Sequence, residues 1–282
     1  MWESKSRLLL VLGLALPGFI ALEMMIYTAD MLTGWKMNRN LIHMCAATLM
    51  DLGLSALVKA LNLLVFVTLL VLLWQSARQP LLARRAGRKL QAMLEPALTE
   101  EMNRRYGSGR SGILVIDREE PAAFTMGMLK PRIVISTGLM SLLEPRELEA
   151  VILHETYHQK HGDPRNLFLL SLFASVFWYI PLLGWLCHQY KIVREVLADN
   201  EAMSRQGTAA DLAGALLKML KRGGAEPPSF AHVSFAETSI NCRIRLILNP
   251  DEQLPLQLPL KRTMISLPAL VALGAMFFGV LN

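Results

Sequence analysis

The chain alternates between long apolar runs and stretches of mixed charge. Residues 8–27 form the first run, preceded by Lys5 and Arg7. It is long for a signal-peptide core, and no small-x-small cleavage site follows, so it is read as an uncleaved span despite Pro17 and Glu23. Residues 52–74 form the second run, roughly 34 Å long as a helix, enough to cross a bilayer, with Lys59 placed to snorkel. Residues 264–281 form the third, about 27 Å long, behind Lys261 and Arg262. A fourth apolar stretch, 167–187, looks by length alone like another span.

Between these runs the pattern changes. Residues 79–106 read as a helix closed by Gly107-Ser108-Gly109. Residues 113–116, 122–128 and 132–136 read as strands, the last two joined around Leu129-Lys130-Pro131. A helix is expected over 145–161, with Pro145 in its first turn and Glu147 and Glu149 near its positive end. Asp163-Pro164 reads as a second helix start. Past Gly223-Gly224 the chain reads as loop, then a short basic helix over 243–248, then loop again. No internal repeat is visible. The expected organisation is two transmembrane helices with a short external loop in 1–75, a metal-binding domain in 76–260, and a C-terminal transmembrane helix in 261–282. The fold class is a mainly α membrane protein with a small β-sheet.

Composition supports that class: 53% of residues are hydrophobic. The net charge of +6 reads first as an orientation signal. Arg78, Arg84, Arg85, Arg88, Lys89, Arg104, Arg105 and Arg110 face only Glu95, Glu100 and Glu101, whereas the loop 28–51 carries Lys36 and Arg39. By the positive-inside rule the segment after the second span is cytoplasmic, the N-terminus with it, and Asn282 lies at the far face. No basic-aromatic stripe suggests nucleic acid. Cys45, Cys187 and Cys242 are too dispersed for a disulfide framework or a thiolate metal site, which fits a reducing compartment.

The chemistry centres on His154-Glu155-Thr156-Tyr157-His158. On a helix, His154 and His158 stack on one face and can reach one ion. Glu155 lies about 100° round, where it can take a proton from a water on that ion. This is the physical reason H-E-x-x-H recurs in metalloproteases. A hydrolytic zinc site needs a third protein ligand. Glu195 is the candidate, with Asp199 one turn later, placed to hold a ligand side chain. A salt-bridged surface helix is the bland alternative for that pair.

That requirement decides the stretch 167–187. A single crossing would put His154 and Glu195 on opposite sides of the membrane, so the stretch must return. Trp178-Tyr179-Ile180-Pro181 and Gly184 offer the break. A membrane-proximal helical hairpin is expected over 167–205, either dipping into the bilayer or buried in a core.

At this point the sequence resembles the integral-membrane gluzincin zinc metallopeptidases. It is most similar to the BlaR/MecR-type receptor peptidases, which are related to the CAAX prenyl endopeptidases and to bacterial stress-induced membrane proteases. The match is carried by Ala123 to Gly127 with Pro131 to Leu139, by Leu148 to Asp163, and by Arg194-Glu195 through Asp199. The resemblance implies a gluzincin-type domain between transmembrane helices. Its zinc would be held by His154, His158 and Glu195, with Glu155 as general base and Asp199 behind the ligands. It also implies that the strand carrying Ala123, Phe124, Thr125 and Gly127 lines the cleft and takes the substrate as an added strand. His188, Tyr190 and Arg194 are candidates for stabilising an oxyanion. The chain departs from the receptors in lacking a penicillin-binding sensor after its last span. His161 reads as an exposed helix-end residue, His43 and His232 have no evident partner, and the sixteen methionines read as span and core filler.

The leading expectation is a zinc endopeptidase acting on cytoplasmic or membrane-proximal proteins, in regulated signalling proteolysis, with a repressor-type regulatory protein among its substrates. The alternative is a regulatory membrane receptor or scaffold that keeps the zinc fold but cuts little beyond itself. The partners expected are a protein or peptide substrate and the lipid bilayer; nothing in the sequence fixes an oligomeric state.

Overall fold

The first two apolar runs become long helices that leave many apolar side chains exposed. The computed structural model describes residues 2–34, 40–107, 112–222, 243–247 and 259–266. Helix α1 spans Trp2–Thr33 and α3 spans Ser55–Ala92, and both are long and apolar enough to cross a membrane. Along α3, Leu63, Phe66, Leu70, Leu73 and Trp74 are all exposed. A soluble surface does not normally carry such a patch. Between these helices, where a loop was expected, the chain forms α2, Leu41–Asp51. Asn40 makes this possible: its Oδ1 accepts from the amides of Ile42 and His43, satisfying two otherwise orphaned donors. Glu23 accepts from the Leu41 amide at 3.0 Å and ties α2 to α1. Tyr27 donates to Asn62 at 2.6 Å and joins α1 to α3.

The helix expected over 79–106 is two. The apolar helix α3 continues through Pro80 to Ala92. Leu94 then bridges to Ile116, and α4, Pro96–Tyr106, begins with its proline in the first turn. The third apolar run falls almost wholly outside the described residues; 260–266 are helical.

The sheet has three strands, β1 (Ile113–Ile116), β2 (Ala123–Met126) and β3 (Arg132–Ser136), in the order β1-β3-β2. β1 pairs parallel to β3, and β2 pairs antiparallel to it. The continuous apolar reading of β1 and β3 has its cause in burial on both faces. Ile113, Val115, Ile133 and Ile135 pack with Met102, Leu139, Leu148, Val151 and Ile152 on one face. Ile116, Phe124 and Val134 pack with Leu90 and Met93 on the other. Thr125 stands opposite Ile133 in the register and therefore shares the first of these faces.

Five further helices carry or brace the motifs. After a short α5 (Thr137–Leu142) comes α6 (Pro145–His161), held at its start by Glu147, whose carboxylate accepts from the Glu144 amide at 2.8 Å. Helices α7 (Asp163–Val176) and α8 (Pro181–Gln206) follow, separated by four residues. The chain doubles back there, because Asp163 at the start of α7 contacts Arg194 well along α8. Helix α9 (Ala210–Lys221) packs on α6. The compact units do not follow chain order: one comprises Met1–Ser6, Leu81–Phe168 and Tyr190–Pro255, the other Arg7–Pro80, Leu169–Gln189 and Leu256–Asn282.

Candidate metal centre

Helical spacing brings His154 and His158 together on α6, their Nε2 atoms 3.1 Å apart. From α8, Glu195 brings Oε2 to 3.5 Å from His154 Nε2 and Oε1 to 3.6 Å from His158 Nε2. Ligand atoms about 2.0–2.2 Å from a tetrahedral ion would stand roughly 3.3–3.6 Å apart. The two histidine–glutamate separations have that spacing and the His154–His158 separation is slightly shorter, and the three side chains form the one His/Cys/Asp/Glu group of this kind among the described residues.

The outward nitrogens of both rings are tied down. His154 Nδ1 lies 2.8 Å from Asp199 Oδ1, and His158 Nδ1 lies 2.7 Å from Asp163 Oδ2. Each carboxylate is placed to accept a hydrogen bond from Nδ1–H, the arrangement that leaves Nε2 to face the common point as a ligand once the ring is neutral. The Asp163 role was not visible in the sequence, where Asp163 reads as a helix start. Gly162, in the left-handed conformation at φ 64°, closes α6 and turns the chain so that Asp163 can reach back to His158.

Asp163 does more than orient a ring. The Arg194 Nε donates to it at 2.8 Å, and the Tyr190 hydroxyl lies 3.4 Å away. The guanidinium of Arg194 also stacks over the Tyr157 ring at 4.6 Å, linking α8 to the histidine helix. Of the three oxyanion candidates, Tyr190 and Arg194 are therefore engaged with Asp163, while His188 sits in the other compact unit. His161 is exposed and bonds the Tyr157 carbonyl at 2.8 Å, outside the ligand group. His43 lies by the Tyr27 ring, and His232 falls outside the described residues.

Glu155 is buried beside the ligands, and Thr125 of β2 reaches it. The Thr125 hydroxyl stands 2.8 Å from Glu155 Oε2 and 3.0 Å from the Glu155 carbonyl oxygen. Having one proton, it donates to one of them at a time. Ala123, on the same side of β2 as Thr125, packs against the core beneath α6, and Phe124 points to the opposite face. Gly127, at φ 110°, ends the strand. No strand pairs with the outer edge of β2 among the described residues.

The role of a second residue also escaped the sequence reading. Arg243, on the helical segment 243–247, places Nη2 2.6 Å and Nε 2.8 Å from the two oxygens of Asp199, and Nη1 3.0 Å from Glu195 Oε2. Burial opposes the ionisation of Glu195, but Arg243 and the two histidines outweigh it and hold that carboxyl well below the ordinary range. Asp199 is lowered likewise, against its burial, by Arg243 and His154. Burial and Arg243 press His154 toward neutrality, yet Asp199 and Glu195 prevail and raise it to about 9. Four carboxyl groups, of Glu155, Asp163, Glu195 and Asp199, gather with two guanidinium groups, of Arg194 and Arg243, so the acidic surplus and the donor set both suit a cation.

Comparison with known proteins places the chain among membrane metallopeptidases. Residues 22–248 match the family model described as BlaR1 peptidase M56. A protease HtpX homolog of Methanothermobacter thermautotrophicus is 27% identical over 151 residues, covering 45% of this chain and 58% of the relative. An HtpX homolog of Pyrobaculum calidifontis is 30% identical over 161 residues, covering 56% and 46%. The regulatory protein BlaR1 of Bacillus licheniformis is 32% identical over 75 residues, covering 27% and 12%. The chain thus spans less than two thirds of the length of these relatives. A family match running from within α1 to past Arg243 takes in every residue of the centre, and the chain belongs to the BlaR1 peptidase M56 family.

Proposed function

We propose that this protein is a membrane-embedded zinc endopeptidase that hydrolyses peptide bonds of cytoplasmic or membrane-proximal proteins. The observation that carries the reading is the convergence of His154, His158 and Glu195, at near-tetrahedral spacing, beside the buried carboxylate of Glu155. Two imidazoles and one carboxylate are the donor set of hydrolytic zinc sites, which keep a fourth position open. When bound, zinc supplies Lewis acidity to the scissile carbonyl and lowers the pKa of water. The remaining work belongs to the chain. Glu155 takes a proton from the attacking water onto its carboxylate and passes it to the departing amine nitrogen, so the carbonyl carbon gains a hydroxyl as the C–N bond breaks. Thr125 orients that carboxylate through its hydroxyl. The substrate lies along the outer edge of β2, where the backbone of Ala123, Thr125 and Gly127 offers it hydrogen bonds as an added strand, while Phe124 between them turns its backbone to Val134 of β3.

The apolar lengths of α1 and α3 support a multi-pass membrane location, and the arginine-rich stretch after residue 75 supports a cytoplasmic position for the protease domain. The match to a protein named as regulatory supports a role in signalling proteolysis, with a repressor-type protein as substrate.

The test is Glu155→Gln, which keeps the ligands and removes the base. Purified wild-type protein is expected to hold about one zinc per chain. The variant is expected to keep that zinc and lose at least about 100-fold in peptidase activity. A variant as active as wild type sinks the mechanism. Crosslinked substrates trapped on the variant and identified by mass spectrometry would name the target.

A further inference from the structure

We infer that Arg243 is a positioning residue of the metal centre, acting through Asp199 and Glu195 rather than on substrate. The inference rests on the zinc reading above. The sequence separation is the first observation: Arg243 lies 44 residues beyond Asp199. The segment 243–247 is nonetheless seated firmly. Leu246 packs with Ile192 and Val196 of α8, and Ile247 packs with Ala150, Ala202 and Leu212. These contacts fix the backbone that delivers the guanidinium.

The second observation is how the guanidinium spends its donors. Nε and Nη2 form a two-pronged pair with Asp199, leaving its Oδ1 also 2.8 Å from His154 Nδ1. Nη1 takes Glu195 Oε2, so that carboxylate has Oε1 left for the side where His158 lies. One planar group thereby sets the rotamers of two acidic residues on one face of α8, and through Asp199 the tautomer of His154. All three nitrogens are engaged by Asp199 or Glu195 and the side chain is largely buried, so the guanidinium is committed to the two carboxylates. A lysine would keep the charge but could not reproduce the fork.

Charge and geometry make opposite predictions, and that separates them. Removing a positive charge beside a cation site would by itself tighten zinc binding, and a lysine in its place would leave it unchanged. Loss of positioning weakens binding in both cases, by the 10- to 100-fold typical of groups that orient ligands. The experiment is competition of the full-length protein against a chelator for zinc, with folding checked by thermal melting in excess chelator. Arg243→Lys is expected to raise the zinc Kd at least about tenfold. In an Asp199→Asn background the same change is expected to cost about threefold or less, because its main partner is already altered. If the lysine variant does not fold, Arg243→Gln is the alternative, and weaker zinc binding is again expected. Unchanged or tighter zinc binding in a folded variant overturns the inference, as does an equal loss in both backgrounds. Failure of the wild-type protein to take up zinc would instead overturn the metal reading itself.

Discussion

At the scale of single residues, the centre is two histidines each backed by an aspartate, and the two aspartates do different work. Asp199 faces Arg243 and His154; Asp163 faces His158, Arg194 and the Tyr190 hydroxyl. Neutralising Asp163 leaves Arg194, itself only 6% exposed, as a buried charge without its counterion. Breaking such a pair costs about 3–5 kcal/mol. Asp163→Asn is therefore expected to lower stability by about that amount and to weaken zinc binding as well, read from melting and chelator competition. Thr125→Val is expected to be far milder. It removes one hydroxyl donor from Glu155, a loss of about 1–1.5 kcal/mol, or roughly tenfold in kcat, with the melting temperature nearly unchanged. An activity loss from Thr125→Val matched by a large drop in melting temperature would mean that the hydroxyl serves the fold and not the base.

At the scale of elements, two glycines show how the local chain sets the site. Gly138, in α5, has an ordinary backbone, but a Cβ there would stand 1.9 Å from the Glu119 carbonyl oxygen. Gly162 is the reverse: a Cβ meets nothing closer than the Arg165 side chain at 3.7 Å, but φ is +64°. Overpacking against backbone costs about 1–3 kcal/mol or more, while a left-handed alanine costs about 1–2 kcal/mol. Gly138→Ala is expected to lower the melting temperature more than Gly162→Ala, whereas Gly162→Ala is expected to show the larger loss of zinc affinity for its drop in stability, since it redirects Asp163. The reverse ordering of melting temperatures would show that backbone strain outweighs the clash. The sequence displays some of these elements plainly and hides others. Strands β1 to β3 are short apolar runs bounded by turn residues and α6 has a strong start, and the i, i+4 pairs His154/His158 and Glu195/Asp199 are legible because helical geometry makes them neighbours. The break before Pro181 could be placed because two motif halves must meet one ion. Helix α2 was hidden because its cap, Asn40, borrows support from Glu23 far away in sequence. Arg243 was hidden for a stronger reason: a lone arginine in a basic segment has no period, and its partners are fixed only by tertiary packing of Leu246 and Ile247.

At the scale of the whole molecule, the centre joins four sequence regions through a cluster of buried charges, so under the zinc proposal metal binding, protonation and stability are linked. Without metal, His154 holds its proton up to about pH 9, because Asp199 and Glu195 outweigh burial and Arg243. Zinc needs the neutral ring, so its binding displaces that proton. Below about pH 9 the zinc affinity is expected to rise with pH, approaching tenfold per unit, and to flatten above it; chelation between pH 7 and 8 is expected to draw about one proton per zinc from solution. The sign for stability of the metal-free protein follows. A histidine raised above its unfolded value of about 6.5 stabilises the fold fully below that pH, and this contribution fades as pH rises through about 9. Glu195 and Asp199 are lowered, so their contribution is present above the ordinary carboxylate range and fades on acidification. Metal-free protein is thus expected to melt highest in weakly acidic to neutral solution and lower near pH 9.5, whereas zinc-loaded protein, with no proton on His154 to lose, should show a much smaller alkaline decline. Calorimetry of zinc binding in buffers of different ionisation enthalpy, beside melting curves with and without chelator, measures both effects. Absence of any proton uptake on chelation would mean that His154 is already neutral without metal, and that the carboxylates around it are balanced by Arg243 and Arg194 alone.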